Sequence, residues 1–135
     1  KQEIPEYWAL LDVALIHLRQ SPLFEAVIPS KLFECMAMGI PVLHCVQGES
    51  AEIVQRSGAG INLAPENPEC LANAVMALCD DRQRILKMSE CGRMVSKTYE
   101  RDKLAARMLA MLTAVVKRGK LDIDATNTQG NCESP

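Results

Sequence analysis

The chain has 135 residues, 48% of them hydrophobic, and a formal net charge of −2 from 15 basic and 17 acidic residues. This length and composition predict one ordinary globular domain with a real core and exclude a wholly disordered chain. The balanced charge argues against nucleic acid as a partner. Aromatic residues make up only 4% of the chain, so a surface that stacks bases or sugar rings is not expected.

Cysteine usage and hydropathy bear on the compartment. Six cysteines are spread along the chain without a C-x-x-C pair, mostly within apolar patterns. This spacing predicts free thiols in a reducing cytoplasm, with neither disulfides nor a zinc site. We find no signal peptide, and every apolar run is far shorter than the ~20 residues of a spanning helix. We therefore expect a soluble chain that could still contact a membrane surface.

Helical and strand patterns alternate along the first part of the chain. In chain order they are a short helix over 4–11, the strand "VALIHL", a helix from about Ser30 to Met38, the strand "PVLHCV", the helix "SAEIVQRSG", the short strand "GINLAP" and a helix from about Asn67 to Cys79. Such alternation predicts parallel strands joined by right-handed crossovers.

Two further helical segments complete the pattern. They are "RQRILKMSECGRMVSKTY" and "RDKLAARMLAMLTAVVKR", each with apolar residues at spacings of three and four. In the second, Met108 and Met111 belong to an apolar stripe that is interpreted as helix core or as a patch covering another domain. After residue 118 the sequence becomes polar and loses periodicity. We therefore expect one domain over 1–118 and a polar, disordered tail over 119–135.

The strand count points to an incomplete sheet. Only three convincing strands are present, two of them about six residues long. This predicts an α/β fold with a partial doubly wound, Rossmann-like parallel sheet and flanking helices, as a piece of a longer protein. A small, complete three-stranded domain is the alternative.

The stretch "VIPSKLFECMAMGIPVLHC" contains the candidate site. On a helix that begins near Ser30, two faces are predicted. The apolar side is expected to hold Leu32, Phe33, Met36, Ala37 and Ile40, and the other side Lys31, Glu34, Cys35 and Met38.

The position of this helix suggests that its first turn binds a ligand. Ser30 is a natural N-cap, and the first turn of a helix at the carboxyl edge of a parallel sheet binds anions through free N–H groups. Lys31 adds a charge for a phosphate, and Glu34 could accept hydrogen bonds from a ribose diol. The alternatives are a simple cap at Ser30 and a weak surface ion pair between Lys31 and Glu34, worth about 0.2–0.5 kcal/mol.

Three blocks carry a family resemblance: "VIPSKLFECMAMGIPVL", "GESAEIVQRSGAGINLAPENPECLANAVMALCDD" and "GRMVSKTYERDKLAARMLAML". Together they resemble the second half of the carboxyl-terminal domain of retaining GT-B glycosyltransferases of family 4, over roughly Pro5 to Val116. The likeness is greatest to members that build cell-surface polysaccharides. It implies an enzyme that transfers a hexosyl group from an NDP-sugar, such as a UDP- or GDP-sugar, with retention and without a metal or other cofactor.

The resemblance also implies residue roles. Glu34 corresponds to the second glutamate of the E-x7-E motif, which holds the ribose hydroxyls of the donor. The first glutamate would fall at Ala26, and Glu25 stands one place early. Either Glu25 takes that role through a loop shift, or the sugar is held otherwise. The loop 24–30 would face the diphosphate and the sugar, with Ser30 and Lys31 near the phosphates.

The segment "VQGESAEIV" aligns with the family's entry into the next helix. There Gly48 would allow a free turn, and Glu52 would lie near the donor or, alternatively, stabilise the helix N-terminus together with Glu49. His17 and His44 are interpreted as strand-end histidines with satisfied hydrogen bonds. Arg19 lies at the edge that a donor phosphate would approach, although an exposed loop arginine is the simpler interpretation. No catalytic residue is assigned.

The acceptor, a glycan or a lipid-linked sugar, would bind through an amino-terminal domain outside this chain. We therefore expect this chain alone to bind donor poorly and to catalyse nothing. The full protein is expected in the cytoplasm, peripherally at the inner face of the plasma membrane. Two alternatives remain: a nucleotide-sugar 2-epimerase, and a non-catalytic interaction module, which the alanine at position 26 favours.

Overall fold

A computed structural model describes the backbone of residues 4–128 and the side chains of residues 6–118. The chain divides into two compact units, Lys1–Tyr99 and Glu100–Pro135. The elements are α1 (Ile4–Ala9), β1 (Ala14–His17), α2 (Pro22–Glu25), α3 (Ser30–Met38), β2 (Val42–Cys45), α4 (Glu49–Ser57), β3 (Gly60–Asn62), α5 (Pro68–Cys79), α6 (Arg82–Ser96), a 3-10 helix (Lys97–Tyr99) and α7 (Arg101–Thr128).

The first unit contains a parallel sheet of three strands in the order β1-β2-β3. Ile16 of β1 is in register with His44 of β2, and His44 is in register with Asn62 of β3. Helices follow each strand before the next begins, as parallel pairing requires. The predicted α/β fold with a partial Rossmann-like sheet is therefore confirmed.

The central strand is buried on both faces. All four residues of β2 are buried, and two of them, Val42 and Leu43, belong to two different apolar clusters. Val42 packs on one face with residues of α3 and α4, whereas Leu43 packs on the other with residues of α5 and α6. A strand covered from both sides reads as a continuous apolar run, which is why "PVLHCV" is recognisable in the sequence.

The first strand is less buried than its composition predicts. Only Ile16 of β1 is buried, and the side chain of Leu15 is 53% exposed. β1 lies at an edge of the sheet, and Leu15 points away from the face that carries Ile16 because successive side chains alternate. The apolar run "VALIHL" is typical of a buried strand, but composition reports apolar character and not coverage by neighbours, so burial of the whole strand does not follow from it.

Helix α3 has the predicted bounds but a different buried face. Leu32, Cys35 and Met36 are buried, whereas Ala37 is exposed. Cys35 was expected on the polar side and Ala37 on the apolar side, so both assignments are wrong. The physical reason is that burying the thiol of Cys35 removes more apolar surface from water than burying the single methyl group of Ala37.

Side-chain caps and a glycine set the helix ends. The Asn67 side chain accepts from the Cys70 N–H at the start of α5, and the Asp81 side chain accepts from the Arg84 N–H at the start of α6. α3 ends at Gly39, whose φ of 71° is left-handed. Glycine adopts this conformation without the steric cost that a Cβ imposes.

The second unit is described through a single helix. α7 extends to Thr128, ten residues beyond the predicted domain boundary at 118. The side chains of 119–128 and all of 129–135 lie outside the described residues. The polar tail over 119–135 therefore stays a prediction.

The thiols and the hydropathy of the described chain complete the description. Cys35, Cys45, Cys70, Cys79 and Cys91 are free; Cys35 and Cys45 are buried, Cys91 is half-buried, and Cys70 and Cys79 are exposed. Across the residues that the structure describes, no helix is both long enough and apolar enough to cross a bilayer.

His44 is a buried polar residue in the core. Its side chain is 0% exposed, and neither ring nitrogen has a hydrogen-bond partner in the described chain. The expectation of a satisfied histidine is therefore wrong for His44. Burial lowers the pKa of His44, against opposing contributions from the Asn62 side chain and the Val46 backbone. Neither of these groups reaches hydrogen-bonding geometry with the ring.

We expect Met36→Ala to lower the free energy of unfolding by about 2–5 kcal/mol. Met36 is 0% exposed, so truncation leaves a cavity in the cluster between α3 and β2. Urea unfolding of the wild type and of Met36→Ala measures this loss. Met94→Ala is the matched control, because Met94 is 66% exposed and should change stability by less than ~0.5 kcal/mol. Equal losses in the two variants would contradict the assigned core.

We also expect stability to fall as the pH drops below about 6.5, the ordinary pKa of histidine. The unfolded chain then binds a proton at His44, whereas the folded chain, whose pKa is lowered, does not. The slope contributed by His44 is at most about 1.4 kcal/mol per pH unit. Urea unfolding between pH 5 and 8 measures it.

His44→Leu should flatten this dependence, since it removes the titrating group and replaces an unpaired buried ring by an apolar side chain. His17→Gln is the control, because His17 is exposed and should leave the His44 contribution in place. An unchanged slope in His44→Leu would show that other groups cause the pH dependence.

Candidate functional site

The candidate site lies at the carboxyl edge of the sheet. Because β1, β2 and β3 are parallel, their carboxyl ends meet at one edge, and the loops that follow them gather there. These connecting segments are residues 18–29, which include the short helix α2, and the loops 46–48 and 63–67. In open α/β sheets this edge is the usual place for ligands.

The first turn of α3 carries no side-chain cap. The N-cap residue is Pro29, with φ −62° and ψ 125°, and no side chain hydrogen-bonds to this helix end. Ser30 is the first helical residue, so the prediction that Ser30 is the cap is wrong. The reason is that Pro29 takes the extended conformation that a cap position requires. The Leu32 N–H donates to the Pro29 carbonyl oxygen at 3.0 Å, whereas the N–H groups of Ser30 and Lys31 have no hydrogen-bond partner among the described residues. These two N–H groups can bind an anion.

Two charged residues stand on the exposed face of this helix. Ser30, Lys31 and Glu34 are all exposed, and Glu34 lies one turn beyond Ser30, about 6 Å along the helix axis. Lys31 and Glu34 form no ion pair among the contacts of residues 6–118. The alternative of a surface pair between them is therefore not realised, and both charges are available to a ligand.

The thiol of Cys35 lies close to both charges. Burial raises the pKa of Cys35 to about 11, and the nearby Glu34 carboxylate adds to the rise while Lys31 opposes it. The thiol is therefore protonated at neutral pH and is not a nucleophile. It acts as a small apolar side chain that packs α3 against the sheet.

A close backbone approach joins two loops at this edge. Gly48 has φ 85°, and a Cβ placed on it would stand 2.0 Å from the carbonyl oxygen of Glu25. Only a glycine can therefore occupy this position without displacing the chain. The contact brings the predicted site residues Glu25 and Gly48 together, at the point where α2 ends and α4 begins.

A narrow crevice opens beside this contact. Arg19, Ser21 and Gln47 line it together with Glu25. Ala26, the position of the absent glutamate, is the C-cap of the short helix α2 and is exposed. The sequence analysis treated 24–30 as a loop and missed α2, since one helical turn is too short to show periodicity. The Ser21-Pro22 pair, a cap followed by proline at the first helical position, is the signal that could have found it.

A second opening lies between α1, β1 and α3. Its volume is about 260 Å³, and Trp8, Leu11, Leu15 and Lys31 are among the residues that line it. Among the described residues that line it, Lys31 is the only charged one. Lys31 therefore connects an apolar groove with the uncapped end of α3.

Glu52 takes a different role from the other site residues. It pairs with Arg56 one turn further along α4, and both side chains are exposed. Such a pair contributes a few tenths of a kcal/mol to an exposed helix. Its carboxylate is directed to a partner on its own helix, although its backbone N–H donates to the Gly48 carbonyl oxygen at 3.3 Å.

Near the same edge, the backbone N–H of Glu66 donates to Nε2 of His17 at 3.4 Å. His17 thus has a partner, as predicted. Glu66 has a φ of 55°, which is unusual for a residue with a Cβ. A glutamate at this position does not predict that conformation. Within the part of the chain that the structure describes, no three His, Cys, Asp or Glu side chains cluster as a metal site would require.

Two curated proteins are similar to parts of this chain. A putative teichuronic acid biosynthesis glycosyltransferase, TuaH of Bacillus subtilis (strain 168), is 45% identical over 42 residues, covering 31% of this chain and 11% of its own length. The probable glycosyltransferase WbjE of Pseudomonas aeruginosa is 32% identical over 74 residues, covering 53% of this chain and 18% of its own length. The chain thus spans less than a fifth of either relative.

No solved structure matches the chain. The model of one protein family, described as glycosyl transferases group 1, matches residues 1–81. The match includes β1, β2, β3 and the whole carboxyl edge on which Lys31, Glu34 and Gly48 lie. It covers more than half of the chain, and the chain therefore belongs to the glycosyl transferases of group 1.

Proposed function

We propose that this chain is the donor-binding portion of a GT-B glycosyltransferase, similar to family 4. The full protein transfers a hexosyl group from an NDP-sugar to a glycan or lipid-linked acceptor with retention of configuration, and it acts in the cytoplasm. The observation that carries the proposal is the exposed face of α3, on which Ser30, Lys31 and Glu34 surround an uncapped helix N-terminus without internal partners.

The diphosphate end of the donor fits the first turn of α3. The free N–H groups and the positive end of the helix dipole attract a diphosphate, and Lys31 adds a full positive charge. The absence of a side-chain cap at Pro29 supports this role, because a capping oxygen would compete with a phosphate for the same donors. Ser30 contributes a hydroxyl at the same turn.

The ribose fits Glu34. A carboxylate accepts hydrogen bonds from both hydroxyls of a vicinal diol, as the acidic residue of dinucleotide-binding folds does. Glu34 is exposed and has no ion-pair partner, so its hydrogen-bonding capacity is available. One helical turn separates it from Ser30, which gives the nucleoside room between the diphosphate and the carboxylate.

We assign the transferred sugar to the surface beside the contact between Gly48 and Glu25, since the crevice itself, at about 10 Å³, has room for no more than a water molecule. Glu25 lines the crevice there with Arg19 and Gln47, which supplies acceptors and donors for sugar hydroxyls. Ala26 has no carboxylate to offer. Of the two possibilities that the sequence left open, we therefore favour Glu25 as the carboxylate nearest the sugar. Glu52 forms an ion pair with Arg56, so it is the predicted site residue with the least support as a donor contact.

These residues are proposed to assist the transfer by electrostatic stabilisation of the leaving diphosphate. Breaking the bond between sugar and diphosphate leaves negative charge on the departing phosphate oxygens. Lys31 and the N–H groups of α3 are positioned to stabilise that charge without reorganising, which is usually the largest single contribution to such catalysis. The acceptor and the groups that position it belong to the rest of the protein, so this chain alone is expected to be inactive.

A non-catalytic interaction module remains a second candidate. It is favoured by the alanine at position 26, where the family pattern has a glutamate. Such a module would retain the fold but not the nucleotide affinity, so measuring donor binding separates the two candidates.

The first test is Glu34→Ala in the natural full-length protein, titrated calorimetrically with UDP, GDP and their sugars. We expect one nucleotide to bind, and binding to weaken by about 1–3 kcal/mol because hydrogen bonds to a charged acceptor are lost. Glu90→Ala is the control, since Glu90 is equally exposed on α6 and should leave affinity unchanged.

If no nucleotide binds, the non-catalytic module is the correct reading of this chain. If a nucleotide binds with the same affinity to wild type and Glu34→Ala, the donor lies elsewhere and α3 is not its site.

The second test is Gly48→Ala. The added Cβ would collide with the Glu25 carbonyl oxygen, 2.0 Å away, so the two loops must separate. We expect a loss of about 1–3 kcal/mol in stability from the positive φ and, in addition, weaker binding of the NDP-sugar. Urea unfolding and calorimetry measure the two effects.

Gly58→Ala is the matched control for backbone strain. Gly58 also has a positive φ, 67°, but a Cβ there would meet only Cys91 atoms at 3.7 Å and beyond, an ordinary contact. Gly58→Ala should therefore lower stability and leave donor affinity intact. Unchanged NDP-sugar affinity in Gly48→Ala would argue against a sugar site beside Glu25.

A further inference from the structure

The buried side-chain atoms that lack a hydrogen-bond partner in the described chain belong to one short segment. They are both ring nitrogens of His44 and the Oγ of Ser50, and both residues are 0% exposed. The segment 44–50 ends β2, contains the β2–α4 loop over 46–48 and begins α4. Buried polar groups are nearly always hydrogen-bonded in native structures, so exceptions that collect in one place require a physical explanation.

His44 lies beside the groups that fix the β2–α4 loop. It shares a face of the sheet with Val42, two residues earlier, and so points toward α3 and α4. Its neighbour in register on β3 is Asn62, whose Nδ2 donates to the Ala51 carbonyl oxygen in α4 at 2.8 Å. The backbone of Val46, the first residue of the loop, is close enough to affect the pKa of the ring. The imidazole therefore adjoins both the anchor of α4 and the start of the loop.

The other end of this loop makes the backbone contact of the proposed donor site. A Cβ on Gly48 would stand 2.0 Å from the Glu25 carbonyl oxygen. One residue separates Gly48 from Val46, and the Gly48 carbonyl oxygen accepts from the Ala51 N–H of α4 at 3.0 Å. Because the loop is so short and its far end is held by the helix, a movement of Val46 also changes the contact between Gly48 and Glu25.

A proton on the His44 ring would have no compensating charge. β3 has no ionisable residue, and His17 of β1 points to the opposite face of the sheet. The ionisable side chains of the two helices on the His44 face are Lys31, Glu34 and Cys35 of α3 and Glu49, Glu52 and Arg56 of α4. Burial lowers the pKa of His44, and none of these side chains contributes to that change. An imidazolium would therefore need water, which reaches a fully buried ring only if the groups around it move apart.

We infer that His44 is a positioning residue for the donor site. In its neutral form it holds the β2–α4 loop where Gly48 contacts Glu25, and when it gains a proton the loop is released and the donor binds more weakly. The effect on the donor rests on the proposed function, whereas the release of the loop does not. For stability alone, an apolar side chain of similar shape would cost less free energy at this position.

The first measurement is amide hydrogen exchange of the natural full-length protein at about pH 8 and about pH 5, which bracket the ordinary histidine pKa. Rates are corrected for the intrinsic effect of pH on exchange. We expect residues 46–50 to lose protection at the lower pH while residues 82–96 of α6 keep theirs. His44→Leu and His44→Gln cannot take up the proton, so both should keep 46–50 protected. His17→Gln is the matched control, because it removes the other histidine of this chain and should behave like the wild type.

The second measurement is calorimetric titration with an NDP-sugar over the same pH range. The diphosphate of an NDP-sugar keeps its charge there, so a change in affinity belongs to the protein. We expect the affinity of the wild type to fall toward the lower pH, by at most about tenfold per pH unit, the limit for uptake of one proton. The two His44 variants should lose this dependence, and His17→Gln should retain it. A merely structural role would alter stability in the His44 variants and leave the pH dependence of affinity in place. Urea unfolding at each pH establishes that every variant remains folded.

Two exchange results would overturn the positioning role of His44. One is protection of 46–50 that does not depend on pH, and the other is an equal loss of protection in α6, which would indicate general destabilisation. A pH-dependent donor affinity that persists in both His44 variants would also overturn it. If no NDP-sugar binds at any pH, the proposed function fails, and the exchange of 46–50 then decides by itself whether His44 controls the loop.

Discussion

The fold of the first unit depends on burying β2 from both sides. All four residues of this strand are buried, and each face needs its own layer of helices, because a single helix covers only one face of a sheet. The chain therefore crosses over between strands, the strands become parallel, and their carboxyl ends collect at one edge. The site residues on α3 and in the β2–α4 loop share that edge for this reason.

The same core tolerates unpaired polar atoms near the site. His44 and the Oγ of Ser50 are fully buried without hydrogen-bond partners in the described chain. Each such group costs free energy that an apolar residue of the same shape would not. His44 belongs to β2 and Ser50 to the first turn of α4, so in sequence they stand on either side of the loop in which Gly48 approaches Glu25.

The two units differ in how many of their side chains are buried. The first is organised by burial, and its charged site residues keep their capacity for a ligand because they lack internal partners. In the second, every described side chain of α7 from 101 to 118 is exposed, and Lys103 forms an ion pair with Glu100, the residue that precedes the helix.

The sequence by itself determined the α/β alternation, the bounds of α3 and the exposure of Lys31 and Glu34, because local periodicity and caps encode these. Only the tertiary structure decided that Pro29 and not Ser30 is the N-cap, that Cys35 is buried, that His44 has no partner, and that Gly48 touches Glu25. These properties arise from contacts between segments distant in sequence, and periodicity within one segment carries no information about which neighbour covers it.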